Sequence, residues 1–248
     1  MKLLRHLPNA MTCGNLLCGC LGILAVFEHD LMRASLLIFL AAALDFGDGF
    51  VARLVRAQSA IGKELDSLAD CVTFGVLPAF IVYAFLVPDT EAIQRLRQVS
   101  GAASETYSTL LLPGGYSAAY LAFLLAIFSA LRLAKFNVDT RQTDSFIGVP
   151  TPANALVVAA MPFIVAYNPA FAGLILHPLV QLGYVVVMSY LLTSELPLFA
   201  LKFKTFGWSE NRIKYIFLLF SALLLLFLQF AAVPLVIFLY IALSLFSK

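Results

Sequence analysis

The chain predicts an all-α, polytopic transmembrane helix bundle. Three observations carry that expectation. Its 248 residues are 62% hydrophobic and only 12% charged, with a mean hydropathy of +0.94, whereas soluble domains run at about 45–50% apolar and about 25% charged. The apolar residues fall into runs of membrane-crossing length. The cations segregate to one side of those runs.

The runs give about eight spans, near 9–27, 31–55, 64–87, 115–136, 150–168, 171–193, 213–230 and 231–247. The last two are nearly continuous, with Pro234 as the break signal between them. With the N-terminus in the cytoplasm, alternation places thirteen Lys and Arg residues inside and three (Arg33, Arg95, Arg97) outside. Both termini are therefore expected on the cytoplasmic side of the membrane. Lys2 and Arg5 ahead of an apolar run imitate a signal peptide, but the run lacks a small-x-small cleavage site and reads as a retained first span. A net charge of +2 gives no reason to expect nucleic acid. Residues 1–248 read as one integral membrane domain. The stretch Glu91–Arg97 in the long outer connection has the pattern of a short surface helix. Residues 194–248 combine an interfacial segment around Lys202, Lys204 and Trp208 with the last spans. Cys13, Cys18, Cys20 and Cys71 lie in apolar sequence with no C-x-x-C pair, as buried small hydrophobes do.

Against this background four aspartates stand out: Asp45-x-x-Asp48-Gly49-x-x-Ala52-Arg53, eight residues, then Gly62-x-x-x-Asp66-x-x-x-Asp70. An ionisable residue within a span costs ~2.5–3.5 kcal/mol or more, and such residues mark a pore, a partner or a site. Asp45, Asp48 and Ala52 share one face of the second span, and Gly62, Asp66 and Asp70 one face of the third. The short connection makes those helices antiparallel neighbours, so all four carboxylates are expected to converge at inner-leaflet depth. Arg53 alone does not balance four anions. Two divalent ions do, and hard oxygen ligands suit Mg²⁺, Mn²⁺ or Ca²⁺ rather than zinc. Such a pair serves displacement at phosphorus. Gly49, Ala52 and Gly62 keep the helix faces low, which leaves room for a bulky ligand, with Arg53 placed to meet a phosphate. The competing readings are a packed polar patch pairing the acids with Arg53, Arg56 and Lys63, and a metal or proton transporter.

The Asp45–Asp70 stretch resembles the signature of the CDP-alcohol phosphotransferase family, D-x-x-D-G-x-x-A-R-x8-G-x-x-x-D-x-x-x-D, and matches every specified position. The resemblance implies a six-helix catalytic core (here 7–193), two bound divalent metals, a homodimer, and transfer of a phosphate-linked group from a CDP-linked donor to an alcohol with release of CMP. By position it makes Asp45, Asp48, Asp66 and Asp70 metal ligands and Asp70 the general base. It places Asp45, Gly49, Ala52, Arg53 and Gly62 at the CDP site.

Two further stretches, Ala130-Leu-Arg132-Leu-Ala-Lys135-Phe-Asn137-Val138 and Phe146-Ile-Gly148-Val-Pro150-Thr-Pro152-Ala-Asn154, resemble the phosphatidylserine synthase branch, as does the opening Leu7–Asn15. Lys135 stands where that branch commonly has Arg, which keeps the charge and loses the bidentate fork. The branch implies CDP-diacylglycerol and L-serine as substrates and phosphatidylserine as product. A serine carboxylate needs a cation, for which Arg132, Lys135 and Arg141 are candidates, with Asn137 and Asn154 as polar contacts. A basic site serves a phosphorylated acceptor such as glycerol 3-phosphate equally well, and an inositol-type acceptor shares the chemistry.

Overall fold

The computed structural model describes residues 6–55, 59–87, 90–101, 110–113, 115, 117–139, 145–199 and 207–246. Helix α1 (Leu7–Phe27) opens with Pro8 in its first turn, where the missing N–H costs nothing. It turns at 28–30 into α2 (Leu31–Leu54), whose first turn is capped by the Asp30 carboxylate accepting from Arg33 N at 2.9 Å. Helix α3 (Ala60–Asp70) is capped by Ser59, whose Oγ accepts from Gly62 N at 3.0 Å. It runs without a break into α4 (Leu77–Leu86) through one wide π turn, Cys71–Val76. Sequence pattern predicts plain α-helix over 64–87. The turn widens where Pro78 has no N–H to return to the Phe74 carbonyl, four residues back.

The anticipated surface helix is present as α5 (Glu91–Ser100), with Ala92, Ile93 and Leu96 buried against the bundle. The fourth span starts as a 3₁₀ turn at Ala118–Phe123 and continues as α6 (Leu124–Val138). Strand β1 (Ser145–Ile147) leads into α7 (Thr151–Tyr167), the most enclosed helix, with nearly every residue from Ala155 to Ala166 buried. Then come α8 (Pro169–Leu176), α9 (Pro178–Thr193), strand β2 (Pro197–Phe199), α10 (Trp208–Leu228) and α11 (Ala232–Phe246). The molecule is an all-α membrane bundle. Leu7–Phe27, Leu31–Leu54, Ala60–Leu86 and Ala118–Val138 are each long and apolar enough to cross a bilayer. Outward-facing side chains such as Phe46, Leu54, Leu68 and Phe227 are left for lipid.

Three features depart from the expected spans. The run 171–193 is split: α8 and α9 meet at 70°. Pro178 holds His177 extended and bars continuation, and Gln181 Nε2 satisfies the freed Ile175 carbonyl at 2.6 Å. The last two spans separate at Gln229, which has φ 48°, and not at Pro234. Although 214–245 passes as one long apolar stretch, the chain doubles back there, because the Phe217 and Tyr240 rings sit 5.7 Å apart. The segment after α9 was expected to lie on the membrane surface. Its first residues instead form β2, which pairs antiparallel with β1, Phe146 opposite Leu198. Lys202 and Lys204 lie outside the described residues, and Trp208 opens α10.

Small residues set the close approaches. A Cβ on Gly19 would clash with Thr73 Oγ1 and one on Gly22 with Leu77 Cδ2, so α1 lies directly against the π turn and the start of α4. Gly148 has φ +73°, and a Cβ there would meet the backbone oxygens of Leu192 and Ser194 at 2.8 and 2.9 Å. Gly148 N also donates to Leu196 O at 2.9 Å, locking the β1 turn onto the end of α9. Gly148→Ala is therefore expected to destabilise the fold by about 1–3 kcal/mol. This is checked by thermal unfolding in detergent, where an unchanged midpoint would refute the backbone clash.

Candidate active site

Helices α1, α2 and α3 enclose a cavity of about 580 Å³. Asp48, Gly49, Ala52 and Arg53 of α2, and Gly62, Lys63 and Asp66 of α3, line it. Pro8, Asn9 and Thr12 close it from α1, and Ser59 and Ala60 from the start of α3. The expected CDP-site residues Gly49, Ala52, Arg53 and Gly62 thus share one wall system, while Asp45 lies one turn deeper and outside the lining. A Cβ on Gly49 would meet nothing within 4 Å, so that position is open space facing the cavity. Gly62 lets the start of α1 come close, since a Cβ there would be 3.1 Å from Asn9 Oδ1.

The period-3.6 spacing brings carboxylates of Asp45, Asp48 and Asp66 together, one oxygen from each lying within 4.8 Å of the others. Asp48 is buried and the other two are half-buried. Asp70 stands outside this trio, one turn further along α3 and buried, within electrostatic range of the other three. Asn15 Nδ2 donates to Asp70 Oδ1 at 3.0 Å. The Asn15 carbonyl is itself held by Thr73 Oγ1 at 3.1 Å. Thr12 Oγ1 donates to Asp48 Oδ2 at 2.6 Å.

No ion pair links any of the four aspartates to a lysine or arginine among the described residues. Arg53 and Lys63 face the cavity without pairing to them, and Arg56 lies outside the described residues. That disposes of a polar patch held by Arg53 and Lys63. Unpaired carboxylates this close repel strongly away from bulk water. Asp66 Oδ1, moreover, is buried without a hydrogen-bond partner. An all-oxygen donor set with one orphaned oxygen fits a hard divalent cation.

Thr12 and Asn15 were not anticipated as site residues. Their signal is present in the sequence: Pro8, Thr12 and Asn15 follow i, i+4, i+7 and place polar groups on one face of an apolar span. Of the candidate acceptor residues, Arg132 and Lys135 line a second, smaller cavity at the end of α6. Arg132 is buried, its Nε has no partner, and it lies within electrostatic range of Asp70. Asn137 ties α6 to α3: its Nδ2 donates to Ser67 Oγ at 2.9 Å and its carbonyl accepts from Lys63 Nζ at 3.0 Å. Asn154 is fully buried in α7, its Oδ1 accepting from Tyr184 Oη at 2.6 Å. Neither asparagine lines either cavity. Arg141 lies outside the described residues.

A cavity between antiparallel membrane helices, with clustered carboxylates and Arg53 at its walls, has the groups that metal-dependent phosphotransfer in an integral membrane protein calls for. Residues 5–193 match the family model described as CDP-alcohol phosphatidyltransferase, and the chain belongs to that family. Among its relatives, the CDP-diacylglycerol–serine O-phosphatidyltransferase of Bacillus subtilis is 34% identical over 67% of this chain and 79% of its own. The protein of the same name from Mycobacterium leprae is 35% identical over 64% of this chain and 47% of its own. The archaetidylserine synthase of Methanothermobacter thermautotrophicus is 29% identical over 68% and 63%. The chain spans about half the length of the Helicobacter pylori and mycobacterial relatives.

If the trio holds a divalent ion, Mn²⁺ at about 100 times its dissociation constant will stabilise the folded protein by ~2.7 kcal/mol. Asp66→Asn is expected to abolish that gain. Thr12→Val, which removes a hydrogen bond to a ligand oxygen, is expected to weaken Mn²⁺ binding roughly 10-fold. Thermal shift against Mn²⁺ concentration reads both without any need for turnover.

Proposed function

We propose that this membrane enzyme transfers the phosphatidyl group of CDP-diacylglycerol to L-serine, giving phosphatidylserine and CMP. The observation that carries the chemistry is the Asp45–Asp48–Asp66 trio with Asp70 behind it, set beside a cavity walled by Gly49, Ala52, Arg53 and Gly62. The choice of acceptor is supported by the names of the relatives and by the cations at the end of α6.

In this reading the cytidine diphosphate occupies the larger cavity, where the absent side chain of Gly49 leaves room and the Arg53 guanidinium meets phosphate oxygens. Two divalent ions, Mg²⁺ or Mn²⁺, held by Asp45, Asp48, Asp66 and Asp70, would supply the positive charge that offsets the negative charge developing on the phosphate of the departing CMP. The serine hydroxyl forms a bond to the phosphorus that carries diacylglycerol, the bond from that phosphorus to the CMP oxygen breaks, and CMP departs. Asp70 takes the hydroxyl proton. Asn15 occupies one oxygen of Asp70 and fixes the carboxyl plane, leaving the other free for that transfer. The acyl chains extend sideways into the bilayer, since the acids belong to membrane helices.

The chain works as a homodimer in the same reading, as the family resemblance implies. Its termini and active site face the cytoplasm, an orientation supported by the excess of Lys and Arg on that side. A transporter using the same acids would need a gradient and no acceptor alcohol.

The test is CMP release from CDP-diacylglycerol by purified protein in detergent with Mn²⁺ or Mg²⁺, offered serine, glycerol 3-phosphate, inositol or no acceptor. Release with serine alone is expected. Release with another alcohol would keep the chemistry and replace the acceptor, and no release from folded protein with any of the three would turn the search to a different acceptor first and to transport second. Asp70→Asn is expected to lower turnover at least 100-fold while CDP-diacylglycerol still binds. Full activity in that variant would remove Asp70 as the base.

A further inference from the structure

The smaller cavity, at the junction of α6, β1 and the end of α9, is chemically unlike the larger one. It measures about 40 Å³ and its polar lining is Arg132, Lys135, Asp139, Thr193, Ser194 and Glu195. One water needs ~10–15 Å³ of such space, so the site suits a few polar atoms and excludes a nucleotide. Arg132 is 7% exposed and its Nε is buried with no partner, so a guanidinium donor is available at this cavity. Arg132, Lys135 and Asp139 all come from the end of α6. Glu195 comes from the segment just after α9 and is exposed. No ion pair joins Arg132 to Glu195 among the described residues.

The end of α6 thus brings two cations and Asp139 to the cavity and the segment after α9 brings Glu195, a lining that complements a molecule carrying both signs of charge. We infer that this cavity is the acceptor subsite and selects a zwitterionic α-amino acid, with Arg132 taking the carboxylate and Glu195 the ammonium; this rests on the serine reading above. The guanidinium fork matches a carboxylate in two parallel hydrogen bonds. Glu195 supplies selectivity by attraction and by repulsion. A phosphorylated polyol brings anionic charge and no cation, so the acid that holds an ammonium pushes it away. Thr193 brings a hydroxyl to the remaining polar atoms, while Ser194 Oγ donates to Leu191 O at 2.9 Å and is left to accept. The cavity lies beside the aspartates, because Asn137, at the same end of α6, donates to Ser67 Oγ, the residue that follows Asp66, at 2.9 Å.

The experiment compares L-serine with glycerate, in which a hydroxyl replaces the ammonium, as acceptors for CMP release by the full-length protein. Wild type is expected to favour serine by at least 100-fold in kcat/KM. Glu195→Gln is expected to raise the serine KM at least 10-fold, leave the KM for CDP-diacylglycerol within 2-fold, and shrink the preference for serine over glycerate at least 10-fold. Glu195→Asp is expected to recover part of the serine KM. The unchanged donor KM reports that the variant is folded, and the wild-type comparison needs no variant at all. A serine KM within 2-fold of wild type in Glu195→Gln, or equal use of glycerate and serine by wild type, would overturn the subsite. Wild type that uses another alcohol and ignores serine would instead overturn the acceptor reading, a result visible before any variant is made.

Discussion

Four carboxylates in membrane helices, with no basic partner among the described residues, are the constraint on which the rest of this structure rests. Apolar surroundings make such charge expensive, and like charges held close make it more so. A chain that keeps them must either admit a cation or spend folding energy on them for nothing. The packing around the acids is consistent with the first. Asp45, Asp48 and Asp66 present oxygens to a common point, with one oxygen left unbonded. Hydrogen bonds from α1, through Thr12 to Asp48 and Asn15 to Asp70, aim those carboxyl groups without neutralising them.

That role explains why α1 is built as it is. Its buried stripe runs Pro8, Thr12, Asn15, Cys18, Gly19, Gly22 and on to Ala25. The polar members face the acids and the glycines bring the helix against Thr73 and Leu77. The Asn15 carbonyl bond to Thr73 then ties the aspartate-orienting residue to the π turn that follows Asp70. Single π turns inside α-helices are frequent at functional sites. Here Pro78 gives the turn a local cause, and Gly75 makes it fit, because a Cβ there would lie 3.0 Å from Ser129 Cβ on α6. One irregularity thereby positions Asp70 relative to α1 on one side and to the helix carrying Arg132 on the other.

Much of this was legible in the sequence, for a specific reason. The spacing of Asp45, Asp48, Gly62 and Asp66 encodes faces of two helices joined by a short connection, and helical period with antiparallel pairing leaves little else to decide. The helix over Glu91–Ser100 was legible by the same amphipathic logic. What was not legible depended on contacts distant in sequence. Thr12 and Asn15 acquire a role only when α1 docks against α3. Asn137 stands beside Lys135 in the chain yet is engaged in tying α6 to Ser67 and Lys63. The break at His177 had a signal in Pro178 that an unbroken apolar run concealed. The reversal at Gln229 had none, since glutamine carries no preference for positive φ. The pairing of β1 with β2 joins residues about fifty apart, each strand too short to register as a pattern.

That small sheet bears on how the two cavities divide the work. It fixes the segment 145–149 against the end of α9, with Gly148 as the contact and Val149 N donating to Leu191 O at 3.1 Å. Ile147 and Glu195 are thereby held in the lining of the smaller cavity. Asn137, bonded into α3, holds the end of α6. The smaller cavity is thus framed by two backbone-level ties, and its charges are set by covalent neighbours of rigid elements, not by free loops. The larger cavity, in contrast, has Gly49, Ala52 and Gly62 in its walls, which leave space beside the charged Asp48, Arg53, Lys63 and Asp66. A donor with a bulky nucleotide and an acceptor of a few atoms impose different demands on a site. Between these two environments lie Asp70 and Arg132, one on each of the helices that Asn137 joins. Their relative placement is therefore a property of the α3–α6 tie as much as of either residue.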